Sequence, residues 1–150
     1  MKLAEALMER ADCQTRLAEL RQRLQQNAII QEGETPGEDP NELLMEYQRV
    51  MEQLTQLVVK INQANQRISL EDGKSMISAL AERDSLKEMH SMLVSLAQSA
   101  VPEQARYSRS EIKMISAVDV KTIRKQADDI AKRYRQLDIL VQQANWQYDI

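Results

Sequence analysis

Apolar residues return at three- and four-residue intervals along four separate stretches of this chain, and each stretch predicts one amphipathic helix. The first runs from Leu3 to Ala28 through Leu7, Leu17, Leu20 and Leu24, with Arg10 and Cys13 on the same face. It stops at QEGETPGEDP (31–40), where Gly33, Pro36 and Gly37 interrupt an acidic run. The second opens on Asp39 as a cap, with Pro40 in the first turn and Glu42 three residues after the cap. Its stripe is Leu43, Tyr47, Val50, Leu54, Leu57, Ile61, Asn65 and Ile68, closed by the Asp72-Gly73 turn signal.

The third helix is expected from about Ser75 to Val101, before Pro102. Ala79, Leu86, Met89, Leu93, Leu96 and Ala100 form its apolar face, and Arg83 is in line with them. The fourth follows Asp119 and carries Ile123, Ala127, Ile130, Tyr134, Leu137, Val141 and Ala144. Between these two, RYSRSEIKMISAV (106–118) is rich in β-branched residues at a rough period of two. That pattern predicts an extended segment, able to form a small two-stranded ribbon with AIIQEGE (28–34).

Four helices of similar length, each about 40 Å long at ~1.5 Å per residue, predict a mainly α fold. The economical arrangement is an antiparallel up-down four-helix bundle forming one domain over residues 1–150. The competing one is a pair of long helical hairpins that complete their core with another chain, as the narrow stripes allow.

In either arrangement the start of the first helix, the end of the second, the start of the third and the end of the fourth share one end. Arg10, Asp12, Asn62, Asn65, Arg83, Asp84, Asn145 and Trp146 are expected there. Three readings of this polar cluster stand side by side. It fixes helix register, at some cost in stability; or the arginine heads simply reach water past their apolar stems; or Arg10 and Arg83 grip a small anion or carboxylate while Asn65 orients it.

Composition narrows the function classes. The 150 residues include three Gly, three Pro, no Phe and one tryptophan, so the core is aliphatic and methionine-rich, without an aromatic cofactor pocket. A net charge of −3 provides no general attraction to nucleic acid. Cys13 is the only cysteine and His90 the only histidine, which leaves no disulfide and no zinc-type ligand set. Neither residue has a partner in the pattern that would make it catalytic, and no phosphate-loop, dinucleotide or nucleophile-elbow motif occurs. No cofactor or metal is expected. An enzyme reading would have to use Arg10 and Arg83, with Asp84 as a base. Glu5, Glu9 and Arg10 break the apolar N-terminus, so it reads as neither signal peptide nor spanning helix, which predicts a cytoplasmic protein. The loop 32–42 is acidic and the segment 104–125 basic, so the two connections either pair, within one chain or between protomers, or stay solvated with little mutual contact.

Taken together, MKLAEALMERAD (1–12), EGETPGEDPNELL (32–44), INQAN (61–65), ALAERD (79–84), RYSRSEIK (106–113) and ANW (144–146) resemble a bacterial family of small proteins, mostly uncharacterised, some of whose members are called septicolysin-like. The resemblance spans nearly the whole chain. It implies a largely helical fold with no agreed activity, and its name suggests membrane activity. The residues instead favour an oligomeric interaction or scaffold module, because eight methionines and narrow stripes suit adaptable self-association.

Overall fold

The computed structural model describes residues 1–102 and 112–150. Four helices account for most of them: α1 (Leu3–Gln26), α2 (Pro40–Arg67), α3 (Met76–Ser99) and α4 (Val120–Gln147). Their boundaries follow from local chemistry. The Asp39 side chain accepts from the Asn41 amide at 2.9 Å and Pro40 opens α2. Ser75 accepts from the Ser78 amide at 3.2 Å to start α3. Asp119 caps α4, accepting from the Lys121 amide and the Thr122 hydroxyl. Capping of this kind satisfies amide donors that the first helical turn leaves unpaired. Between α2 and α3, Gly73 at φ 85° turns the chain tightly enough for its amide to reach Leu70 O at 2.9 Å.

The expected ribbon does not form: residues 28–34 are turn and coil, and no strand occurs among the described residues. The backbone of that loop is held by a side chain instead. Asn27 accepts from the Glu38 amide at 3.0 Å and donates to Arg23 O at 2.8 Å, while Arg23 pairs with Glu38. Ile29 is left 89% exposed, so burial gives little reward for strand pairing there. The other half of the ribbon, 106–118, lies partly outside the described residues; Ile112 to Ser116 are coil and bend.

The described chain divides into two compact units, Met1–Ile68 with Gln143–Ile150, and Ser69–Gln142. In the first, α1 and α2 pack as an antiparallel hairpin. Its register is set by Arg23 with Glu38, Arg21 with Tyr47 and Arg16 with Glu46. The core beneath is a single layer of aliphatic side chains, among them Leu3, Leu17, Leu20, Val50, Leu57 and Ile61, with Cys13 buried among them. The sequence stripe of α2 is reproduced closely.

In the second unit, Met76, Ala79, Leu86, Leu93 and Ala97 form the buried face of α3, and Ala127, Leu137 and Val141 that of α4. Met89, expected on the inner face of α3, is instead exposed, and Leu96 and Ala100 are half-buried. Ala97 takes the place in the stripe that spacing alone assigned to Leu96. The basic connection 104–125 lies partly outside the described residues, and in the acidic loop Glu38 pairs with Arg23 of its own unit.

Candidate functional site

The eight residues expected at a common polar end fall in both units. Arg10, Asp12, Asn62, Asn65, Asn145 and Trp146 belong to the first, Arg83 and Asp84 to the second.

Within the first unit, the hairpin register separates them into two levels. Extending the pairs Arg16–Glu46 and Arg21–Tyr47 places Asn62 and Asn65 opposite the start of α1. Arg10 lies seven residues beyond Leu3, ~10 Å of helix rise, opposite the middle of α2. One arginine side chain does not span that distance. Arg10 is half-buried and Asp12 exposed, and among the described residues neither side chain makes a hydrogen bond or ion pair.

Asn145 and Trp146 share the level of Asn65, because the chain after α4 is fastened to the start of α1. Leu3 N donates to Tyr148 O at 3.0 Å and Ile150 N to Met1 O at 2.9 Å. The Lys2 ammonium donates to Gln147 O at 3.0 Å and to Asp149 Oδ2 at 2.8 Å. A cation at the carboxyl end of α4 also suits the helix dipole. Lys2 in turn holds the Asp149 carboxyl below its usual range, mainly through that hydrogen bond. Asn145 is the single buried polar residue among those described, at 6% exposure, yet no buried side-chain oxygen or nitrogen lacks a partner, so its amide keeps contact with solvent. Trp146 is exposed.

In the second unit Arg83 does sit on the inner face of α3, between Ala79 and Leu86. Its partner is Asp138 of α4, at 2.8 Å from Nη1, and not the neighbouring Asp84, which is exposed. Both charges are partly sheltered, with side-chain exposures of 25% and 34%. Gln142 adds a long contact to the same Asp138 oxygen at 3.4 Å. Asp138 directly follows Leu137 at the edge of the α4 stripe, an acidic flank that the stripe analysis passed over. The Arg83 guanidinium is thus already committed to a carboxylate of α4. Among the described residues no group of three or more acidic, histidine or cysteine side chains could hold a metal ion.

A second feature escaped the sequence analysis. Beside its buried stripe, α2 carries another apolar set: Leu44, Met51 and Val58 at seven-residue spacing, with Met45 and Val59 next to them. Leu44 is 47% exposed, Met45 69% and Val59 49%. The signal was present as two apolar sets on one helix, where a surface helix needs one. At the edge of this face lies a shallow groove of about 320 Å³ lined by Leu17, Ala18 and Arg21 of α1 and Tyr47 and Met51 of α2. The polar side of the hairpin is occupied by Glu46, which accepts from Arg49 Nε at 2.8 Å and from Arg16 Nη2 at 2.6 Å. Its carboxyl is lowered to about 2, first by Arg49 and then by Arg16.

A family model matches residues 10–150, nearly all of the sequence. The chain belongs to DUF6847, a family of unknown function. This DUF6847 chain is also similar to a crystal structure described as a functionally unknown conserved protein from Corynebacterium diphtheriae. The two are 42% identical, with a TM-score of 0.90 over 98% of this chain and 96% of that one. No curated protein matches.

Proposed function

We propose that this DUF6847 protein is a cytoplasmic, self-associating helical module whose role is to present or hold a partner, and that its single-layer hairpins complete their packing against a further chain. The observation that carries this reading is the second apolar face of α2, where Leu44 is 47% exposed, Met45 69% and Val59 49%. A set of large apolar side chains left in water on one face of a helix marks a surface that a partner covers.

Light scattering on the purified protein tests the reading. A mass above that of one chain, falling on dilution, is expected, and a monodisperse monomer at micromolar concentration contradicts it.

Binding of a small anion, with or without an enzymatic step, would now have to rest on Arg10, the half-buried arginine without a partner among the described residues, since Asp138 occupies Arg83. The septicolysin-like resemblance is taken as a relationship between sequences. No helix among the described residues is long and apolar enough to cross a membrane.

A further inference from the structure

We infer that the exposed apolar face of α2 is the self-association surface, and that it pairs antiparallel with the same face of a second copy about a two-fold axis between residues 51 and 52. This rests on the self-association proposed above and assigns it a place and a geometry.

On a helix turning about 100° per residue, Leu44, Met45, Met51, Val58 and Val59 fall within one arc of about 140°, beside the buried stripe of Leu43, Val50 and Leu57. Glu52 is the only charged residue of α2 inside that arc. Glu42, Glu46, Arg49, Lys60 and Arg67 all lie outside it. A face this wide, apolar and solvent-facing on a helix whose other side already has a core calls for a second occupant.

The order of residues along the face identifies that occupant. An isologous interface must be self-complementary under a two-fold rotation, so each residue needs a fitting mate at the mirrored position. About an axis between Met51 and Glu52, Met45 comes beside Val59 of the second copy on one flank of the face, Leu44 beside Val58 on the other, and Gln48 meets Thr55 at its middle. Every outer apolar residue thus faces an apolar one, and Gln48 and Thr55, the two uncharged polar residues between them, face each other; Asn41 and Asn62, further out on the same arc, come to one level as well. The flanking charges agree. The same rotation brings Glu42 to the level and side of Lys60 of the second copy, and does so twice, once on each side of the axis. A parallel pairing would set Glu42 against Glu42 and Lys60 against Lys60. Glu52, next to the axis, is the one position where like charges approach.

Two experiments locate the surface and its direction. In sedimentation analysis, Val59→Asp is expected to raise the dimer dissociation constant at least tenfold. Gln53→Asp, on the opposite, exposed side of α2, is expected to leave it unchanged. Direction is read by cysteine cross-linking in a Cys13→Ala background. A chain carrying both Gln48→Cys and Thr55→Cys should form an intermolecular disulfide on mild oxidation. Neither single variant should, because like positions lie ~10 Å apart along the axis and bridged Cα atoms lie about 4.4–6.8 Å apart. The cross-link also keeps the test open if Val59→Asp fails to fold, which its helical circular dichroism would reveal. Efficient disulfides in the single variants would indicate parallel pairing and overturn the antiparallel geometry. A dimer that survives Val59→Asp and gives no 48–55 cross-link overturns this surface while leaving self-association intact. A wild-type monomer overturns both.

Discussion

Replacing Arg83 with leucine tests whether the polar residue in the α3 stripe is held by the structure or merely tolerated by it. Arg83 Nη1 lies 2.8 Å from Asp138, and the two side chains are 25% and 34% exposed. Fully exposed ion pairs contribute roughly 0–1 kcal/mol, and removing one member of a buried pair costs about 3–5 kcal/mol. A half-sheltered pair falls between, so Arg83→Leu should lower stability by about 1–2 kcal/mol, because Asp138 keeps its desolvation without its partner. Asp138→Leu should behave alike. The double variant removes both charges and adds apolar contact between α3 and α4, so it should return to within about 1 kcal/mol of the wild type or exceed it. The coupling between the sites, the two single losses less the effect of the double variant, is then about 2–4 kcal/mol. Urea unfolding of the four proteins, followed by helical circular dichroism at one fixed protein concentration, completes the cycle, since an assembly's stability depends on concentration. An Arg83→Leu protein as stable as wild type, with additive single effects, would show that the pair is a surface contact and that register is fixed elsewhere.

Three further outcomes follow from the same geometry. Glu46, lowered from 4.5 to about 2 by Arg49 and Arg16, contributes stability that is fully present above pH 4.5 and lost as pH falls toward 2; Glu46→Gln should flatten the acid limb of the stability–pH curve, and an unchanged slope would contradict the assignment. Leu20→Ala, at a side chain 2% exposed in the single-layer core, should cost about 2–5 kcal/mol in urea unfolding; a loss below ~1 kcal/mol would mean that this face is not closely packed. Purified protein added to dye-loaded liposomes should release no dye, and release that rises with protein concentration would give the septicolysin-like resemblance a functional meaning.

The features legible in the sequence were those written in local chemistry. Asp39-Pro40 opens α2, Ser75 opens α3, Asp119 opens α4 and Asp72-Gly73 turns the chain, because caps and turns are satisfied by neighbours a few residues away. The α2 stripe was legible for the same reason: one period repeated over 28 residues leaves little ambiguity. The Ile29-Ile30 ribbon does not follow from composition because β-branched residues prefer a packed surface, and here Ile29 stays 89% and Ile30 49% exposed.

The polar positions were harder. Their placement on inner faces could be read for Arg83, but its choice of Asp138 over the adjacent Asp84 depends on the pairing of α3 with α4, which no local pattern encodes. Arg10 and Asn65 lie on the inner faces of adjacent helices, yet antiparallel register holds them at different levels. The second apolar face of α2 was visible as residues and passed over as chemistry, because a first stripe had already explained the helix.

The central claim is that this DUF6847 chain leaves its hairpin packing incomplete until a second copy joins it. Sedimentation equilibrium across a range of protein concentrations measures this most directly. The account predicts a species of twice the 17.3 kDa chain mass, dissociating reversibly on dilution. A single species at the mass of one chain, at every concentration, would contradict it.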